Sequence, residues 1–444
     1  MSITPGVPRI VGPSRWILAG SAAVLLVAVV VMARLAGFMW DVERTDLSVR
    51  PNDAWRAAHS CVSAYSEAAR LAAEPDRNVY RESEYLDRKM SGLKVDTYHY
   101  PPPFLLLPGA LQRVSGGDLL SLRPVWFALQ LALVVAAIVA LARWIGGREG
   151  GLVLAVGPLF LASPNTLFTL QIGNFQLSAL SLGMMAMIAF QSRRIAVQGL
   201  GGAALAFTAL GKVFPGVLGV YLVMSRRWRA VLWIAAWAAV LVLVTLLVYG
   251  TRPFEDFIHY EMPRLSSGDA FPQSERPGMV ANNQSIYGLT VKLRTLGLTA
   301  LDRAAGLSVS SVYGILVLAL AGFLAWRTRR GPAQAAAEPT ARLASAELWL
   351  ALLNLASFRS PFVGGAYGVV GTTWLVTLRI AGSTRRWQIA VWGAILAAFM
   401  IGGAMMPPPT SPPPIATVWA YTGLHLLMVG VNGWVCWRHA RMTR

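Results

Sequence analysis

Charge is what this chain has least of. Of 444 residues only 14% are charged, where a soluble domain carries roughly 25%, so there is too little polar surface to cover a water-soluble body. Acidic residues are the scarcer sign, 21 against 39 basic ones, for a net charge of +18. That excess invites a nucleic-acid reading. The Lys and Arg residues, however, mostly flank apolar runs, and no basic domain free of such runs exists to hold nucleic acid. The charges read instead as topology signals and lipid-headgroup contacts. Cysteine is nearly absent. Cys61 and Cys436 fall on opposite membrane faces in the topology below, which excludes a disulfide framework and leaves no metal-ligand spacing, so neither a metal nor a cofactor is expected. No internal repeat is evident, which counts against a transporter built from paired halves. The first apolar stretch, 16–40, is too long for a signal-peptide core and lacks a small-residue cleavage site, so it is expected to remain as an anchor.

What the chain does have is apolar length: 55% hydrophobic residues and a mean hydropathy of +0.52. A helical span needs about 20 apolar residues. Candidate runs fall at 16–38, 125–142, 152–162, 177–190, 200–210, 213–224, 231–249, 308–326, 348–355, 369–380, 391–405 and 416–435, the shorter ones extending into their flanks. The run 104–111 is decided by the positive-inside rule. If it lies along the surface, the clusters Arg143/Arg148, Arg193/Arg194, Arg226/Arg227/Arg229, Arg327/Arg329/Arg330 and Arg385/Arg386 share the cytoplasmic face with Arg9, Arg15, Arg438, Arg441 and Arg444. The expectation is an all-α polytopic membrane protein, a single domain over 1–444, with about twelve transmembrane helices and both termini inside. Its outer face then carries a long first loop, 41–123, with an amphipathic stretch at 54–73 and juxtamembrane helices. It also carries a charge-free turn at 163–174, a loop at 251–307 with a re-entrant segment, and a stiff proline-rich tip at 407–414.

The longest loops lie outside, so function is sought there. Asp41 and Asp46 follow the first span directly, and a carboxylate held beside apolar walls can have a raised pKa and act as a general base; the alternative is a solvated acidic loop. Tyr98-His99-Tyr100 precedes three prolines and Phe104, as an interfacial aromatic belt or a binding element. Gln171, Asn174 and Gln176 open a span from outside, as helix caps or as amides for sugar hydroxyls. Lys212 lies between two short spans, where a lysine either snorkels to the headgroups or meets an anionic partner. Arg359, at the outer end of another span, runs against the topology rule, and together Lys212 and Arg359 suit a lipid phosphate. Asn283-Gln284-Ser285 formally matches a glycosylation sequon, given little weight because the Ala/Arg-rich composition looks bacterial.

Taken in order, Tyr100-Pro-Pro-Pro-Phe104, Gly173-Asn174-Phe175-Gln176, Gly211-Lys212-Val213-Phe214-Pro215-Gly216 and Asn283-Gln284-Ser285-Ile286-Tyr287-Gly288 resemble glycosyltransferase family 87, of the GT-C class. The resemblance covers most of the stretch from Ala54 to about Arg359, with the C-terminal part reading as apolar filler. It implies a GT-C-like fold with its site on the outer face, and inverting transfer of a hexose or pentose, mannose favoured. The donor is a sugar on a polyprenyl phosphate, the acceptor a lipid or glycan, and the setting a bacterial inner membrane. It carries Gly173, Asn174, Gln176, Lys212, Pro215, Asn283, Gln284 and Ser285 onto family motifs. One departure stands out. Family members open the first outer helix with an Asp, and here that place falls at Ser60 or Cys61. The base is therefore expected at Asp46, whose Asp-Leu-x-Val string resembles the family's catalytic segment, or at Asp41, with His59 and Asp96 next. The rival readings are a non-catalytic scaffold, which the missing Asp favours, and a lipid-linked-sugar flippase.

Overall fold

The computed structural model describes residues 15–51, 53–74, 76–330 and 338–442. Arg9 and Arg444, counted among the topology charges, lie outside the described residues, as do the side chains of Arg15 and Arg330. Helices dominate. α1 (Arg15–Trp40) leads into the first loop, which holds α2 (Ala54–Ala58), α3 (Cys61–Leu71) and α4 (Leu106–Val114). Then come α5 (Leu119–Ile145), α6 (Gly147–Leu161), α7 (Pro164–Ile172), α8 (Gln176–Ala189), α9 (Ile195–Lys212), α10 (Gly216–Met224) and α11 (Trp228–Tyr249). A second loop carries α12 (Arg252–Asp256), α13 (Met262–Ser267) and α14 (Ile286–Thr295). The bundle closes with α15 (Arg303–Arg330), α16 (Pro339–Ser357), α17 (Gly365–Ala381), α18 (Arg386–Met405) and α19 (Ile415–Met442).

Seven of the described helices, α1, α5, α9, α11, α15, α18 and α19, are long and apolar enough to cross a membrane, and the pair α6–α7, bent by 64°, makes an eighth if counted as one span. This is an all-α polytopic membrane protein. The other runs that sequence alone reads as spans lie in helices that are too short or too polar to pass by themselves. α8 has 14 residues and α10 only 9, and α16 and α17 carry Glu347 and Arg379. α4, at nine residues, is about 14 Å long, less than half of a bilayer core.

The first loop departs most from the expected pattern. The single amphipathic stretch over 54–73 is split, because His59 and Ser60 are extended and form β1 (His59–Ser60). This strand pairs in parallel with β3 (Leu93–Val95), which pairs antiparallel with β2 (Lys89–Met90). The register sets His59 opposite Lys94 and Ser60 opposite Val95. Below this small sheet the loop has an aromatic core of its own. Tyr65, Tyr80, Tyr98, Phe104, Trp126 and Phe175 are all buried there, with ring centroids such as Phe104–Phe175 at 4.8 Å and Tyr65–Trp126 at 5.1 Å, arrangements worth roughly 0.5–1.5 kcal/mol per pair beyond burial. The 3-10 turn Pro102–Leu105 meets α9 and α11, and Tyr249 of α11 donates to the Leu105 carbonyl. The loop is thereby seated on one end of the bundle.

The C-terminal helices are more than filler. α16, α17 and α19 are tied at the other end by an ion pair that sequence reading does not anticipate. Arg379 Nη1 lies 2.8 Å from both carboxylate oxygens of Glu347, Arg438 approaches at 3.5 Å, and the guanidinium of Arg379 sits over the rings of Trp392 and Trp434. Both pair members are nearly fully buried. Removing one partner of such a pair strands the other charge and costs about 3–5 kcal/mol. Glu347→Ala should therefore lower the thermal unfolding midpoint of the purified protein sharply, whereas Arg441→Ala, at the exposed end of α19, should leave it nearly unchanged.

Candidate functional site

The site forms where three segments meet: the β1–α3 junction, the α7–α8 turn and the end of α9. Gly173 closes α7 in the left-handed region, φ 69°, where a side chain is strained. A Cβ there would also meet Val62 Cγ2 at 2.2 Å, so only glycine lets the turn approach α3. Trp126 donates to the Gly173 carbonyl at 2.9 Å and Gln130 to the Asn174 carbonyl at 2.8 Å, fixing the turn from α5. Asn174 is then held with its amide between two functional groups. Its Nδ2 donates to Cys61 Sγ at 3.4 Å, and its Oδ1 accepts from Lys212 Nζ at 2.9 Å.

Lys212 ends α9. Gly211 before it packs between Phe104 and Phe175, where a Cβ would stand 3.2–3.3 Å from either ring, and Val213 after it has φ 42°, an uncommon conformation for a β-branched residue and one that marks a constrained turn. Among the described residues the amine has no carboxylate partner. Asn174 and Gln176 each accept from it at 2.9 Å, and the rings of Tyr367 and Tyr100 lie 5.1 and 5.8 Å away. Two neutral amides and two aromatic faces orient the amine without neutralising it, which leaves it free to meet an anion.

Across Asn174 stand Cys61, His59 and Asp96. The β1–β3 register, extended by one residue, brings Asp96 beside Cys61. Ser63 Oγ locks this, donating to the carbonyls of Ser60 and Lys94 and accepting from the Asp96 amide at 3.2 Å. Asp96 Oδ1 is 3.3 Å from His59 Nδ1, and the His59 ring stacks on Trp55 at 4.7 Å. Burial raises the Asp96 carboxyl above the usual carboxylate range, only partly opposed by His59 and Lys94. Burial also pushes the Cys61 thiol up to about 12, so it is a neutral hydrogen-bonding group and not a thiolate nucleophile. Tyr65 and Tyr100, joined hydroxyl to hydroxyl at 2.8 Å, are likewise kept neutral by burial. His59, Cys61 and Asp96 are the one group among the described residues whose ligand atoms, all within 4.8 Å of one another, converge closely enough for a metal ion. In this geometry, though, His59 is spent on Asp96 and the thiol keeps its proton.

The residues singled out by sequence therefore divide. Tyr100, Asn174, Gln176 and Lys212 come together. Asp46 does not join them: it lies in an exposed 3-10 turn, its side chain 64% accessible and paired with Arg44 at 3.1 Å, which holds the carboxyl below the usual range. Asp41 is also exposed, its Oδ1 accepting from the Glu43 amide. Arg359 runs along Gly314 of α15, exposed and with no side-chain hydrogen bond or ion pair among the described residues. Gln171 holds the first loop to α7, accepting from the Val49 amide and donating to the Arg56 carbonyl. Tyr98 is fully buried in the aromatic core. His99 bonds the buried Glu261 at 2.7 Å, tying the first loop to the second. Asn283, Gln284 and Ser285 are fully buried; Asn283 and Ser285 both donate to the Pro361 carbonyl, and Ser285 caps α14 through the Gly288 amide. That clamp fixes the turn leading into α17, which carries Tyr367. Sequence reasoning missed Cys61 as a hydrogen-bonding member and Tyr367 altogether.

Residues 98–353, more than half of the chain, match the model of Glycosyltransferase family 87. Lys212, Asn174, Gln176 and Tyr100 lie inside the matched stretch, His59, Cys61 and Asp96 just before it, and Tyr367 just after. No curated protein and no solved structure matches the chain. With that match over more than half of its length, and with the motifs at Tyr100, Asn174, Lys212 and Asn283 all inside it, the chain belongs to glycosyltransferase family 87.

Proposed function

We propose that this glycosyltransferase moves a hexose or pentose, with mannose favoured, from a polyprenyl-phosphate donor to a lipid or glycan acceptor at the outer face of a bacterial plasma membrane, with inversion at the anomeric carbon. The observation that carries this reading is the bridge made by Asn174, which donates to Cys61, the strand neighbour of the half-buried Asp96, and accepts from Lys212, which has no carboxylate counter-ion among the described residues. Asp96 takes the proton from the acceptor hydroxyl as its oxygen attacks the anomeric carbon. The bond from that carbon to the phosphate oxygen breaks, and the phosphate leaves with the electron pair, its charge met by Lys212. Tyr100 and Tyr367 flank the lysine as faces on which a sugar ring stacks, and Gln176 orients the ammonium. Holding two lipid-borne substrates at one interface supplies orientation that free solution does not. The outer-face assignment is supported by the basic clusters at the opposite ends of the helices. The single domain over 1–444, with its loops at 41–123 and 251–307 forming one outer face, belongs to the same reading.

Membranes containing the protein, supplied with radiolabelled polyprenyl-phosphate sugar, should transfer label to lipid or glycan. Asp96→Asn should cut turnover by about 10²–10⁴, the usual cost of losing a general base, while Asp46→Asn and Asp41→Asn stay near wild type. The base works only when ionised, so turnover should fall as pH drops through the raised pKa of Asp96, with the acid limb above the range of an ordinary carboxylate. Full activity in Asp96→Asn, with loss in Asp46→Asn, would move the base back to the exposed loop.

Lys212→Ala removes a charge-assisted hydrogen bond worth about 1.5–3 kcal/mol, or roughly a 10- to 100-fold loss in rate. Lys212→Arg should retain part of the activity because the charge survives. Wild-type turnover in the alanine variant would leave the lysine only a structural role, and absence of transfer in the parent protein would favour the scaffold reading.

A further inference from the structure

A cavity of about 230 Å³ opens between α1, α7 and the end of α18, on the first-loop side of the bundle, and none of the residues grouped around Lys212 lines it. Its polar lining is dominated by three arginines, Arg34, Arg50 and Arg56, among apolar groups that include Val31, Leu35 and Phe168. One carboxylate, Asp53, pairs with Arg56. The remaining hydrogen bonds of these guanidinium groups go to neutral main-chain carbonyls, and Arg56 also lies over the Phe168 ring. Arg34 donates to Asp46 and Ser48, Arg50 to Gly403, Ala404 and Met406, and Arg56 to Met406 and Pro407. Carbonyls fix where these cations point but do not neutralise them. Burial, and after it the neighbouring Arg56 cation, lower the pKa of Arg50, with Asp53 opposing them in part; an anion between the guanidinium groups would relieve that repulsion.

The outer wall of the cavity is the lipid side of α1. Val27 and Val30 lie two turns and one turn before Arg34 on the same helix face and are exposed, as are Leu26 and Val29 beside them. A planar guanidinium fork matches phosphate oxygens, and the apolar stripe leads straight to it. We propose that this cavity binds the phosphate of an anionic membrane lipid, whose acyl chain lies along Val27 and Val30 of α1. The site is independent of the role of Lys212. It bears on the reaction through α2, because Arg56 stands three residues before His59 and its carbonyl is held by Gln171. An occupant therefore steadies the segment that delivers His59 and Cys61.

The test uses the full chain, purified in detergent and stripped of lipid, with three probes: phosphatidylglycerol, phosphatidylcholine and inorganic phosphate. Phosphatidylglycerol should bind and raise the unfolding midpoint, as any ligand of the native state does, while the other two should not. Arg34→Gln with Arg50→Gln should weaken phosphatidylglycerol binding at least tenfold. Arg34→Gln alone, at an exposed position and keeping an amide donor for its carbonyl partners, should weaken it by a smaller factor with the ligand-free midpoint nearly unchanged, and Arg34→Lys should restore most of the affinity. Lys212→Ala should bind like wild type. Unaltered binding in the double variant, an equal response to phosphatidylcholine, inorganic phosphate matching the lipid, or loss of binding in Lys212→Ala would each overturn the proposal.

Discussion

The candidate site depends on a parallel pairing only two residues long. His59 and Ser60 lie against Lys94 and Val95, and this contact closes a long loop to set Asp96 beside Cys61. Closing such a loop costs entropy that grows slowly with its length, and two ladder positions cannot meet that cost alone. The aromatic core beneath the sheet offsets it: Tyr80 and Tyr85 are buried inside the closed loop, and Tyr85 donates to the Val79 carbonyl. Glu67, on the covered face of α3, is paired with both Arg70 and Arg88. The loop is thus a packed unit whose product is the placement of one carboxylate.

The second half of the site is rigid for a different reason. Lys212, Asn174 and Gln176 sit at helix ends whose turns are fixed by close approaches: Gly173 against Val62, Gly211 between two phenyl rings, and Val213 in a constrained conformation. Electrostatic preorganisation of this kind needs no rearrangement when charge develops. The far end of the bundle is held by Glu347, Arg379 and Arg438.

Much of this was legible in the sequence. Apolar length and scarce charge identify a polytopic membrane protein, and the ordered motifs identify the family and bring Asn174, Gln176 and Lys212 into one site. The carboxylate was harder to place. Two-residue strands have no readable period, so nothing in the sequence marks the register that lifts Asp96 from a fallback to a member of the site. Asp46 looked favourable because it follows a span, but a 3-10 turn carries it into solvent, where Arg44 pairs with it. The count of about twelve spans is not confirmed by the seven or eight described helices long and apolar enough to cross, because short apolar runs inside a bundle, such as α8 and α10, resemble spans in composition without having the length. Tyr367 and the clamp formed by Asn283 and Ser285 depend on contacts between distant segments, which one sequence does not reveal.

The central claim is that the proton is taken at the spot beside Cys61, whichever residue supplies the carboxylate there. The Sγ of Cys61 and the carboxylate of Asp96 lie within 4.8 Å of one another, so a carboxylate moved from position 96 to position 61 should reach the same acceptor. The direct measurement is the transfer rate of Asp96→Asn with and without Cys61→Asp. The account predicts that the double variant recovers at least tenfold over Asp96→Asn alone. A folded double variant no more active than Asp96→Asn would contradict it.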